Sequence, residues 1–165
     1  MYRPIKILVI IIQLTCSCLD DAQIIEEQGE VYRQTYYSVA EGETQVGAGF
    51  TYQDKEIQVI DNIMHYNDDE FGLIPIIAID INQVRESGLN EKGTWNIYGS
   101  VVELKYPDGT VNNAIILDAC GMCAKDERID LWVYNNDARH DINNVEMTLI
   151  RKGWSQEGET IHGTN

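Results

Sequence analysis

What most constrains this chain is its punctuation: short segments rich in β-branched and aromatic residues, each closed by a turn signal, recur from about residue 31 to residue 151. The segments are 31–40, 46–52, 57–62, 74–79, 100–106, 111–117, 129–134 and 145–151. Side chains of these types suit the pleated, half-buried surface of a sheet. Tyr106-Pro107-Asp108-Gly109-Thr110 is the sharpest turn, with a proline to set one dihedral and a glycine free to take positive φ. It predicts a hairpin of 100–106 with 111–117. Helical patterning is confined to 81–92, centred on 84–87, and to 137–144, where Asn135 or Asn136 could cap a turn or two. Many short strands, Gly-rich turns and little helix predict an all-β domain, a small barrel or sandwich.

The length, 165 residues, fits one domain, and a hydrophobic content of 44% is ample for a single core. Residues 1–18 differ from the rest. Arg3 and Lys6 give a positive start, an apolar run over 5–12 follows, and small residues lead to Cys16 and Cys18. That layout predicts an export signal, since the run is shorter than the ~20 residues a spanning helix needs. Leu14-Thr15-Cys16-Ser17-Cys18 also hints at a lipoprotein signal. Simple secretion and lipid attachment through Cys16 or Cys18 both stay open. Residues 19–31 then read as an acidic linker, 32–154 as the folded domain and 155–165 as a polar tail.

Formal net charge is -15, and all 27 carboxylates follow residue 18. Nucleic acid is a poor partner for such a chain, because a phosphate backbone demands clustered Lys and Arg and here they are scattered. Acidity in an exported protein suits solubility, or a neutral or cationic partner.

Chemistry concentrates in residues 114–133, A-I-I-L-D-A-C-G-M-C-A-K-D-E-R-I-D-L-W-V. Asp118 closes one apolar run and Asp130 opens the next, where an ionised carboxylate is costly unless hydrogen-bonded, paired or at a cleft edge. A strand end, a tight loop and the next strand start can bring the two together. Neighbouring carboxylates in a partly dry site split their titrations, which is what general acid catalysis requires. The competing reading is that each aspartate caps a loop by accepting backbone N–H bonds.

I-I-L-D-A-C-G-M-C-A-K-D-E-R-I-D-L-W resembles the signature of the three-aspartate (3D) domain, in which a strand ends in Asp-Thr-Gly-Gly and an Ile-Asp-Leu follows. Ala78-Ile79-Asp80-Ile81 resembles that family's upstream Ala-Val-Asp-Pro, and Thr35-Tyr36-Tyr37-Ser38 its first strand. This chain departs in having Asp-Ala-Cys for Asp-Thr-Gly and extra residues around 86–98. The resemblance implies a small six-stranded double-psi β-barrel with extra short strands and one or two short helices. That is the fold of membrane-bound lytic transglycosylase A, rare lipoprotein A-like proteins and expansins. It further implies a cell-wall substrate, peptidoglycan or a related polysaccharide, and no cofactor. In the transglycosylases an aspartic acid protonates the glycosidic oxygen and then accepts the sugar's 6-hydroxyl proton, leaving a 1,6-anhydro product without attack by water. Carried over, the catalytic residues are Asp130, Asp118 and Asp80. Asp130 ranks first because Ile129, Leu131 and Trp132 should raise its pKa by desolvation. A non-catalytic wall-binding barrel is the alternative.

Cys120-Gly121-Met122-Cys123 invites a disulfide outside the cytoplasm, and also admits a redox-active reading. Expansin-like barrels carry Asp-x-Cys-x-x-Cys before their Asp-Leu pair, so the resemblance implies a disulfide that stiffens the active-site loop. Metal is not expected: structural zinc wants four ligands, and His65, His140 and His162 lie at no ligand spacing. Lys125 and Arg128 share the loop and could touch a sugar or peptide carboxylate, or simply be solvated. Trp132 and Tyr37, with Trp95, Tyr36 and Tyr98, could stack on sugar rings or pack in the core.

Overall fold

The computed structural model describes residues 29–136 and 139–154. The expected export signal with Cys16 and Cys18, most of the linker, the 155–165 tail and His162 lie outside the described residues. The strands are β1 (Glu30–Ser38), β2 (Ile57–Ile60), β3 (Ile63–Asp68), β4 (Gly72–Asp80), β5 (Val101–Lys105), β6 (Val111–Cys120), β7 (Arg128–Val133) and β8 (Ile142–Arg151), with one short helix, α1 (Ile81–Glu86), after β4. The domain is mostly β-sheet, as the segment pattern predicts.

All eight strands join in the order β1-β8-β5-β6-β4-β7-β3-β2, and β1 also pairs with β7. The pairing therefore returns on itself through six strands, β1-β8-β5-β6-β4-β7, with the β2–β3 hairpin attached alongside β4 and β7. Two pairings in the circuit, β1–β7 and β4–β6, are parallel. The others are antiparallel.

The described strand count is eight rather than six. One of the extra strands comes from 57–62, which holds a strand and a turn instead of one strand. Asp61 and Asn62 take φ of 49° and 67°, the paired left-handed dihedrals of a two-residue hairpin turn, and the chain returns as β3. The segment 46–52 is corrected in the opposite sense, from strand to loop. The Val46 N–H bonds the Phe50 carbonyl, the Gly49 N–H bonds back to Val46, and Gly49 has φ +96°. That loop still buries Val46 and Phe50. Elsewhere the turn chemistry holds: Gly109, φ 87°, donates to the Tyr106 carbonyl, the Thr110 N–H to Asp108, and β5 pairs with β6 as expected. The expected turns over 137–144 fall partly on residues outside the described set, and Ile142 already begins β8.

β4 lies centrally and is buried on both faces. Ile77 and Ile79 pack with Tyr98, Val102, Ile116, Ile129 and Leu131, whereas Ile74 and Ile76 pack with Phe50, Met64, Leu117 and Trp132. Burial on both faces explains why 74–79 reads as a continuous apolar run rather than an alternating one. A buried fork ties the end of β8 to the β3–β4 turn, with Arg151 Nη2 2.6 Å and Nη1 2.9 Å from the Asp68 carboxylate.

Candidate active site

Asp118 and Asp130 are held by one residue of β4. Ala78 is the register partner of Asp118 on β6 and of Asp130 on β7. Directly opposed residues project to the same face, so the aspartates flank Ala78, whose buried methyl packs against Cys120, Cys123 and Tyr37. The register on β6 is set by a bulge: Ile77 pairs with Ile116 but Ala78 with Asp118, leaving Leu117 as the extra residue. A regular ladder would have placed Leu117 opposite Ala78, so the bulge is what aims Asp118.

Asp118 accepts the N–H groups of Gly47 and Ala119, each at 2.8 Å on Oδ1. Burial pushes its pKa up, and the two N–H bonds counter part of that push. Gly47 approaches so closely that a Cβ there would lie 2.3 Å from the Tyr98 hydroxyl and 3.0 Å from Asp118 Oδ1. Burial and then the Asp118 charge raise Tyr98 to about 12. Tyr37 is raised as well, by burial, then by the Asp118 charge and by a hydrogen bond of its hydroxyl to that carboxylate.

Asp130 has a different shell. The Thr35 hydroxyl donates to Oδ1. On the other oxygen, Cys120 Sγ lies 3.0 Å from Oδ2. Cys120 and Cys123 form a disulfide, so that sulfur carries no hydrogen and cannot donate. The contact suits a protonated Oδ2, whose O–H can point at sulfur, better than an ionised one. Burial raises the Asp130 pKa; Arg128 opposes it, Asp141 reinforces it, Arg33 opposes it, and the Asp118 charge adds to the rise. The expectation of a raised Asp130 therefore agrees with the geometry, and Asp118 is raised too.

Asp80 pairs across to Cys120 but caps α1, its carboxylate accepting the Asn82 N–H at 2.8 Å. It also lines a cavity of about 470 Å³ with Gln83, Cys123 and Arg128. Lys125 is exposed, at the end of a single 3₁₀ turn that starts at the buried Cys123. Arg128 Nε is 3.9 Å from Asp130 Oδ1.

The aromatic expectations need correction. Trp132 is 0% exposed, and its indole N–H donates to the Glu43 carbonyl at 2.9 Å, so it cannot serve as a sugar platform. Tyr37 stacks on Trp132 at 6.3 Å and 14°, with its hydroxyl buried beside Asp118. Tyr98 is buried at 3% exposure. Tyr36 lies under the Arg139 guanidinium, while Trp95 lines a separate cavity with Asn90, Lys152 and Trp154. Among the described residues one trio, Cys120, Cys123 and Asp130, gathers metal-ligand atoms within 4.8 Å, but sulfurs bonded to each other offer no thiolate.

Two members of the site escaped sequence reasoning as contributors. Thr35 reaches Asp130 from 95 residues away and Gly47 reaches Asp118 from 71. The Val46-Gly47-Ala48-Gly49 stretch was the one local signal for Gly47, since two glycines in a supposed strand mark a close backbone approach. Comparison of the chain with protein-family models, with curated proteins and with solved structures found no match. The functional reading therefore rests on the site.

Proposed function

We propose that this protein is an exported double-psi β-barrel enzyme that cleaves cell-wall glycan as a lytic transglycosylase, with Asp130 as the acid and Asp118 as its charged partner. The observation that carries the reading is the unequal pair: two aspartates flank Ala78, both raised by burial, yet Asp118 alone accepts two backbone N–H bonds that favour its anion. Asp130, facing sulfur, favours its proton. Environments that push two carboxyls apart assign acid and counter-charge. Asp130 gives its proton to the glycosidic oxygen as the C1–O bond breaks, and Asp118 stabilises the positive charge growing at C1. The Asp130 carboxylate then takes the proton of the same sugar's 6-hydroxyl as that oxygen bonds C1, closing the 1,6-anhydro ring and restoring the acid.

Asp80 belongs to this reading as a positioning residue that fixes the start of α1 beside the cavity. The six-strand circuit with two parallel pairs supports the barrel type, and the disulfide fits an oxidising compartment. A binding-only reading has one observation in its favour: both Asp130 oxygens already have neighbours. Incubating the purified protein with cell-wall sacculi and identifying products by mass spectrometry separates the two. The enzyme reading expects 1,6-anhydro-muropeptides, with release falling about 100-fold or more in Asp130→Asn. No product from the wild type, together with undiminished sacculus binding by Asp130→Asn, would establish the binding protein instead.

A further inference from the structure

Arg33 and Arg128 are register partners on the parallel strands β1 and β7, two residues before the Thr35–Asp130 pair and therefore on its face. Between them sits one oxygen of Asp126, 3.3 Å from Arg33 Nη2 and 3.8 Å from Arg128 Nη1. Neither guanidinium is well used. Both Nε atoms are buried without a hydrogen bond, and the carboxylates beside them, Asp141 for Arg33 and Asp130 for Arg128, stand off at 3.9 Å. The same chain makes a closed two-pronged fork at Arg151–Asp68, with 2.6 Å and 2.9 Å contacts. A guanidinium binds a carboxylate best through two parallel N–H bonds, and Asp126 supplies neither arginine with such a pair. Asp126 is itself half exposed and follows the 3₁₀ turn, ahead of Glu127 in a left-handed conformation. Exposed ion pairs of this kind hold weakly.

We propose that Arg33 and Arg128 form a subsite for a carboxylate carried by the substrate, and that Asp126 is an internal occupant which the substrate displaces. The subsite lies two residues from the acid, about 7 Å along β7. That places the bound carboxylate on the reacting sugar or on a group attached to it. The inference rests on the glycan-cleaving reading and names the substrate feature that reading leaves open: an acidic sugar substituent or a peptide attached to the sugar.

The test is an NMR titration of the full chain that follows the arginine Nε–H signals. N-acetylmuramic acid is one probe, its neutral counterpart N-acetylglucosamine the second, and an N-acetylated alanyl-glutamate dipeptide the third. The carboxylate probe from the true source shifts the Arg33 and Arg128 signals; the neutral sugar does not. Asp126→Asn is expected to tighten that probe about fivefold, and Arg33→Gln to weaken it by a similar factor. Arg33→Lys, which keeps the charge without the fork, also weakens it, so the conclusion does not hang on one variant folding. Unchanged or weaker binding in Asp126→Asn, equal tightening of the neutral sugar, or no response to either carboxylate overturns the subsite. Tightening in Asp126→Asn by a protein that releases no anhydro products from sacculi leaves the subsite standing and removes the enzyme reading. Cleavage by the wild type without carboxylate discrimination does the reverse.

Discussion

Replacing Gly47 by alanine inserts one methyl group where Asp118 and Tyr98 meet, and its effect can be worked out from distances. The new Cβ would fall 2.3 Å from the Tyr98 hydroxyl oxygen, 3.1 Å from its ring carbon and 3.0 Å from Asp118 Oδ1. Ordinary contact begins near 3.4 Å, so the tyrosine must retreat by about 1 Å from a position that is 3% exposed and packed in the core. Overpacking of this size costs about 1–3 kcal/mol. Any shift of the loop that relieves the clash instead stretches the 2.8 Å N–H bond to Asp118, a hydrogen bond to a charged group worth about 1.5–3 kcal/mol. Either route predicts a loss of about 2 kcal/mol in urea unfolding monitored by tryptophan fluorescence. Tyr98→Phe removes the nearest atom, so the double variant should recover at least half of the loss. Gly121→Ala, with nothing within 4 Å of its Cβ, is the control and should be near neutral. If Gly47→Ala is as stable as wild type, or if Tyr98→Phe fails to rescue it, the close approach described here is not what positions Asp118.

Two further predictions concern charge. Folding raises the Asp130 pKa, so its favourable contribution is complete below the ordinary carboxylate range and is lost as pH rises through the folded value. Asp130→Asn should therefore be more stable than wild type at pH 7, with the advantage fading towards about pH 3, as read by urea midpoints across pH; a constant difference contradicts the raised acid. For Asp68 burial pushes the pKa up, but the Arg151 hydrogen bond and the N–H groups of Glu70 and Phe71 bring it below normal overall. Its stabilisation is present above the unfolded carboxylate range and lost as pH falls through the folded value. Arg151→Met, which strands a buried charge, should cost about 3 kcal/mol at pH 7 and much less in acid, measured by thermal melts at both pH values.

Local chemistry was legible in the sequence, and long-range pairing was not. Pro107-Asp108-Gly109 announced the β5–β6 hairpin because every group its turn needs lies within five residues. Asp118 and Asp130 stood out because a carboxylate beside Ile116, Leu117 or Ile129 demands an explanation wherever the chain goes. By contrast, Asp61-Asn62 was absorbed into a strand, since its neighbours Ile60 and Ile63 continue the apolar pattern across the turn. Trp132 gave no sign of which face it would occupy: on a strand buried on both sides, alternation carries no information. The Leu117 bulge depends on pairing with residues about 40 positions away, and the donors Thr35 and Gly47 on contacts 95 and 71 residues apart, which no window along the chain can reveal.

The position of Ala78 has an evolutionary consequence. Because both carboxylates are opposed to one residue, their Cα atoms are separated by two inter-strand spacings, about 10 Å, a length fixed by peptide hydrogen bonding rather than by side-chain shape. Such a gauge is digital. Core substitutions can change volume, and even weaken the domain, without altering it, whereas a slip of either neighbour by one residue turns an aspartate to the opposite face. Sequence drift around the site can therefore be extensive while the chemistry stays in register, provided that β4 keeps a small residue between the two acids.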